Sequence, residues 1–211
     1  MNYSEQYKVP DLPEGKSGTW EIKRFEVKKE DLVRQLFSMA NSGRYVPEGA
    51  YTGLFRKDDD DRYTIVMSDT PDEINDHLQP IIKAEGDVLI AGLGLGVVLN
   101  ALAKKKEVNH ITIVELSTDV LTLVKKHYEV KYPGKITFIQ ADILTWKLPQ
   151  DIHWNYAWFD IWDNLSIDNL PEMAKLHRKF TRFVDAYGSW GQKYLQSRQK
   201  QEHRERERWR S

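Results

Sequence analysis

The sequence predicts an α/β fold with a Rossmann-like, doubly wound and mostly parallel sheet, and three observations predict it. Short apolar runs recur at Val88–Ala91, Ile111–Val114, Ile136–Ile139 and Tyr156–Phe159. Helical spacing occupies Val97–Lys106 and Asp119–Tyr128 between them. Gly92-Leu93-Gly94-Leu95-Gly96 stands between the first run and the first helix. Unbroken apolar strands suit a parallel sheet covered on both faces, and strand–helix alternation is how such a sheet is wound.

The elements ahead of this core read in order as follows. Residues 1–18 carry Pro10, Pro13, Gly15 and Gly18 among polar neighbours and predict an irregular arm. Residues 19–86 then form a strand, helix, hairpin and helix extension. Trp20–Val27 alternates apolar and charged residues, the period of a half-exposed strand. Leu32, Val33, Leu36 and Phe37 are spaced helically within Glu30–Met39, and Asn41-Ser42-Gly43 stops that helix. Tyr51–Arg56 and Arg62–Met67 flank Lys57-Asp58-Asp59-Asp60-Asp61, a hairpin with an acidic, solvated tip. Asp69 or Thr70 caps a helix beginning at Pro71 and running to about Ala84. Residues 87–184 form the core, and residues 185–211 a charged helical tail.

Composition excludes several classes. With 211 residues the chain supports one good core, and 40% apolar with 30% charged residues is ordinary for a globular domain. A net charge of −1 gives no global attraction to nucleic acid or an anionic membrane. Zero cysteines remove disulfides, thiolate nucleophiles and cysteine metal sites. No metal-ligand spacing occurs elsewhere. No apolar run is long enough to span a bilayer, and Met1 leads into polar residues, so a cytoplasmic protein is expected.

The glycine turn carries the functional signal. Glycine turns the chain sharply and lets a ligand approach where a Cβ would block it. The spacing is G-x-G-x-G; the dinucleotide fingerprint would place its third glycine at Val97. Glu115 closes the second strand, where an acid accepts both ribose hydroxyls. Asp142 closes the third, where an acid suits an adenine amino group and favours S-adenosylmethionine over a dinucleotide. Each acid alone also fits a surface turn or a helix cap. Their register at successive carboxyl ends, the ligand edge of such sheets, is what points to a site.

Asp87–Asp163 resembles the cofactor half of class I S-adenosylmethionine-dependent methyltransferases, and within them the spermidine-synthase-like branch. Gly92, Gly94, Gly96, Glu115, Asp142 and Asp160 match that pattern in order. Ile90 stands where many methyltransferases have an acid, a departure shared with that branch. Met67-Ser68-Asp69-Thr70-Pro71, the glycine turn and Asp160-Ile161-Trp162-Asp163 together also resemble uncharacterised methyltransferase-like proteins of bacteriophages. The resemblance implies S-adenosylmethionine, or its decarboxylated form, held by Gly92, Leu93, Gly94, Gly96, Glu115, Leu116, Asp142, Ile143, Asp160 and Trp162. It implies Asp160 as the base in aminopropyl transfer. Asp163 either binds a substrate ammonium or caps the next helix. Trp162 is placed to cover a sulfonium or an adenine face. His77 reads as a structural helical histidine or one facing the pocket.

Beyond Asp163 the sequence departs from the family. A full class I methyltransferase adds a fifth strand and an antiparallel pair. Here Asn169–Val184 reads as helix, nothing after Asp163 reads as a strand, and the sheet is expected to be truncated or completed by the N-terminal region or a second subunit. Residues 175–211 hold eleven Lys/Arg against four Asp/Glu. Arg and Glu four apart stabilise an exposed helix, while Trp190, Tyr194 and Trp209 among basic residues leave nucleic-acid contact open. The leading expectation is methyl transfer to an unidentified acceptor. Three alternatives stand beside it: a phage-type protein that binds or degrades the cofactor, an aminopropyltransferase-like enzyme, and a non-catalytic nucleic-acid-associated protein.

Overall fold

The structure, a computed structural model, describes residues 3–29 and 46–209. The helix expected over Glu30–Met39 lies outside them. In chain order the elements are α1 (Tyr3–Gln6), β1 (Gly15–Ser17), β2 (Trp20–Val27), β3 (Gly49–Lys57), β4 (Tyr63–Ser68), α2 (Pro71–Asp76), α3 (Leu78–Lys83) and β5 (Gly86–Ala91). There follow α4 (Val97–Ala103), β6 (Val108–Glu115), α5 (Thr118–Lys131), β7 (Ile136–Gln140) and β8 (Trp154–Phe159). A 3₁₀ turn (Ile167–Asn169), α6 (Leu170–Phe180), β9 (Val184–Ser189) and α7 (Gln192–Arg208) complete the described chain.

Five strands form one parallel sheet in the order β7-β6-β5-β8-β9. The chain therefore steps outward from β5 to β7, then crosses back to β8 and continues to β9. The reversal lies between β5 and β8, so the loops leaving their carboxyl ends diverge and open a crevice. Side chains alternate across β5 as the pleat requires. Val88 and Ile90 enter the core with Val98, Leu102 and Tyr128, whereas Leu89 and Ala91 enter a second core with Phe159, Leu176 and Phe180. Burial on both faces explains the unbroken apolar run. Ser117 starts α5 by accepting the Val120 amide at 3.2 Å, and Val120, Leu121, Val124 and Tyr128 form its buried stripe.

β9 corrects the expectation that no strand follows Asp163. Val184-Asp185-Ala186-Tyr187-Gly188-Ser189 has weak strand propensity, yet it pairs parallel to β8 from Trp154↔Val184 to Phe159↔Ser189. Edge position allows Asp185, Ala186 and Tyr187 to remain exposed, so the alternation that reports a strand is missing. His177 on α6 fixes the strand by a 2.8 Å hydrogen bond to Ser189. The helix expected to reach Val184 stops at Phe180 for the same reason. The fifth strand is thus present, and among the described residues no antiparallel pair follows it.

Ahead of the core, β1-β2-β3-β4 form an antiparallel sheet. The arm over residues 1–18 is not wholly irregular, since α1 and β1 lie within it. The hairpin tip behaves as a solvated turn, with Asp58, Asp60 and Asp61 paired to Arg62 or Lys57. Asp69 does not cap the next helix. Its buried carboxylate accepts the Val9 amide at 3.0 Å and the Thr52 amide at 2.6 Å, stitching arm, β3 and β4 together. The helix expected over Pro71–Ala84 breaks at His77, because Pro80 has no amide hydrogen for the Asp76 carbonyl and its ring crowds that carbonyl. No helix of the described residues is long and apolar enough to cross a membrane.

Candidate functional site

A cavity of about 550 Å³ opens at the carboxyl ends of β5, β6, β7 and β8. It is lined by Gly92, Leu93, Gly94, Glu115, Leu116, Asp142, Ile143, Asp160, Trp162 and Asp163, so ten of the residues expected at the site meet there. Gly96 does not line it. It precedes α4 with φ 73°, and a Cβ there would overlap the Tyr128 ring, so its place is packing against α5.

The glycine turn is shaped by the protein as much as by any ligand. Gly92 (φ 92°) and Gly94 (φ 51°) both have left-handed backbones. A Cβ on Gly92 would overlap the Asp160 carbonyl oxygen, and one on Gly94 the Met67 sulfur. Glu115 then ties the turn to β6. One carboxylate oxygen accepts the Leu93 amide at 2.7 Å and the other the Ser117 amide at 2.8 Å. Burial pushes the Glu115 carboxyl up, the amides of Ser117, Leu93 and Leu116 pull it back, and the charge of Asp160 adds to the upward push. Three amides leave the carboxylate lone-pair capacity for a further donor. Asp142 similarly braces its own turn, accepting the Leu144 amide at 2.9 Å and the Thr145 hydroxyl at 3.1 Å.

His77 faces the pocket, the alternative that its sequence context alone left open. The ring is buried, Nδ1 lies 2.6 Å from the Glu73 carbonyl, and Nε2 lies 2.7 Å from the Asp160 carboxylate. Burial alone pushes the imidazole down; the Asp160 carboxylate, with the Glu73 carbonyl, outweighs it and raises the ring to about 9. At neutral pH His77 is therefore protonated, both ring nitrogens donate, and the pair carries little net charge. Trp162 lines the cavity and donates its indole N–H to Glu172 at 2.8 Å.

Asp163 caps nothing. It pairs with Arg56 of β3 at 2.6 Å, both half-exposed at the cavity rim, and the guanidinium lies 5.3 Å from the Trp20 ring centre. Arg56, Trp20 and Met67 belong to the N-terminal sheet, which supplies a wall that sequence reading assigned to no site. One signal was available. Arg56 lies two residues beyond Leu54, on the strand face that Leu54 buries, where a charge needs a reason. Trp190, expected on the exposed tail, is instead buried in the cavity wall. Among the described residues no group of His, Asp and Glu is arranged to hold a metal.

No family model and no curated protein matches this sequence. Solved structures do. The chain is similar to the methyltransferase domain of bacterial CtHen1-CN, at 23% identity and TM-score 0.40, over 51% of this chain and 58% of that one. It is similar to the CcbJ methyltransferase from Streptomyces caelestis, at 15% and 0.42, over 54% and 47%. It is also similar to a putative RNA methyltransferase from Pyrococcus horikoshii, at 15% and 0.41, over 55% of each. The matched part spans about half the length of these structures.

Proposed function

We propose that this protein binds S-adenosylmethionine in the cavity at the strand ends and transfers its methyl group to an acceptor. The observation that carries this reading is convergence: the glycine turn after β5 and the acids closing β6, β7 and β8 line one cavity. Its volume is that of a nucleoside-sized ligand site. The remaining acceptor capacity of Glu115 is suited to a ribose hydroxyl, and Asp142 with Ile143 to the adenine. Trp162 offers a π face to the sulfonium. In the transfer the S–CH₃ bond breaks as the acceptor's electron pair takes the methyl carbon, leaving a neutral thioether. An acceptor with a proton on its attacking atom gives it to a base, for which Asp160 in the cavity lining is the candidate.

Two features favour methyl over aminopropyl transfer. The imidazolium of His77 already offsets the charge of Asp160, which weakens its pull on an incoming amine. The Arg56–Asp163 pair offers one cation and one anion at the rim, the complement of a zwitterionic amino acid end. Decarboxylated cofactor has no group for Arg56 to hold.

Calorimetry with S-adenosylmethionine, its demethylated product, the decarboxylated form and 5'-methylthioadenosine tests the reading. Glu115→Ala removes an acceptor from two backbone amides and from the ribose, and should weaken binding at least about 100-fold, equivalent to about 3 kcal/mol. Absence of binding by all four ligands, or unchanged affinity in the variant, overturns the site.

A further inference from the structure

The glycine turn directs most of its backbone donors into the protein. Gly92 donates to the Val114 carbonyl at 2.9 Å, Leu93 to Glu115 at 2.7 Å and Gly96 to the Leu93 carbonyl at 2.8 Å. Leu95 donates to the Met67 sulfur at 3.4 Å. Of the turn's amides, that of Gly94 alone has no protein partner among the described residues.

Met67 is the acceptor that comes from outside the parallel sheet. On β4 it lies opposite Leu54, which is buried, so its side chain reaches inward from the N-terminal sheet and lines the cavity. Its sulfur also fills the space over Gly94, where an added Cβ would overlap it. A strand–turn–helix unit of this kind ordinarily receives a phosphate on free amides of the turn and of the following helix. Here Val97, Val98 and Leu99, which open α4, are buried and stand outside the cavity lining. Glu115 and Asp160 place two carboxylates in the same wall. A phosphate at the turn would meet like charge, a filled space and a single free amide.

We propose that Met67 determines the ligand class of the site: its side chain stands where the phosphate of a nucleotide would sit. The site therefore takes adenosines with a thioether or sulfonium at the 5' position and rejects adenosine phosphates. A thioether suits this place. It satisfies the Leu95 amide without adding a third anion to the wall, and its apolar surface tolerates a methyl or sulfur neighbour. The inference rests on the cofactor reading and adds to it a residue of the N-terminal sheet that the glycine spacing does not name.

The test is calorimetry of the full chain with 5'-methylthioadenosine and adenosine 5'-monophosphate, which differ in the 5' group alone. Wild type should bind the thioether at least about 100-fold tighter. Met67→Ala frees the Leu95 amide and clears the space over Gly94, and should narrow that ratio at least about tenfold, the worth of one charge-assisted hydrogen bond. Met67→Leu refills the space and should return the ratio to within about threefold of wild type. Because the two ligands share the adenosine, a general loosening of the site weakens both and leaves the ratio unmoved. A ratio unchanged in Met67→Ala, or opened as far by Met67→Leu, overturns the role of Met67 and leaves the cofactor reading standing. So does a wild type that binds the monophosphate within about tenfold of the thioether, a measurement that needs no variant to fold. Binding of neither ligand by wild type overturns the proposal, and absence of S-adenosylmethionine binding as well overturns the cofactor reading with it.

Discussion

The glycine turn meets Glu115 across 22 residues, within one strand–helix–strand unit, whereas His77 meets Asp160 across 83, from separate parts of the fold. The first wall is made by backbone: left-handed glycines and amides that converge on one carboxylate. The second is made by side chains, a buried imidazolium held against an acid by a broken helix. Backbone geometry needs particular residues at particular spacings, so it leaves a local signature. A long-range ion pair needs only two residues that the topology happens to join, and it leaves none.

The largest effect is expected from attacking the backbone wall. Gly92→Ala combines a left-handed backbone with overlap onto the Asp160 carbonyl, a backbone atom that cannot swing aside. Strain and overpacking together should cost about 4 kcal/mol in urea unfolding. Gly134→Ala supplies the contrast, because its φ of 75° carries the same strain with nothing within 4 Å of the added atom. It should cost only about 1 kcal/mol. Equal losses at the two positions would show that the Gly92 turn does not press against β8.

Next comes the side-chain wall. His77 is raised from 6.5 to about 9 by folding, so its contribution is fully present below about pH 6.5 and is lost as pH rises through 9. Asp160→Asn removes the charge that raises it. Unfolding free energies should then fall by about 3 kcal/mol at pH 6, with the gap to wild type closing by pH 10. A gap independent of pH would mean that His77 is neutral in the native state. The ring meets the Asp160 carboxylate and the Glu73 carbonyl, and the charge of Glu73 adds to the upward push.

These contrasts also explain what sequence reading reached. The four strands β5 to β8, the hairpin and the ligand edge were legible because burial on both faces, alternation and turn glycines are local consequences of the fold. β9 was not, since Asp185, Ala186 and Gly188 occupy an edge strand whose pairing with β8 supplies what propensity lacks. Gly92, Gly94, Glu115 and Asp142 were readable from strand ends, and the other expected residues that line the cavity came from the family resemblance. Trp20, Met67, Trp190 and the role of His77 were not readable, because each reaches the cavity through the packing of other elements upon the sheet, and Arg56 left only the signal of a charge on the face that Leu54 buries.

The rim joins the two kinds of wall, and its expected effect on stability is the smallest. Arg56 and Asp163 are half-exposed, so their pair should contribute less than about 1 kcal/mol in a double-mutant cycle. Ligand selectivity is the sharper readout. If the guanidinium receives the carboxylate of the cofactor's amino acid end, Arg56→Gln should weaken S-adenosylmethionine about tenfold, the worth of one charge-assisted hydrogen bond. It should leave the decarboxylated form unchanged, since that ligand has nothing to lose. Parallel losses for both ligands would assign Arg56 to the packing of the Trp20 wall, and a loss confined to the carboxylate-bearing ligand would make the N-terminal sheet part of the recognition surface.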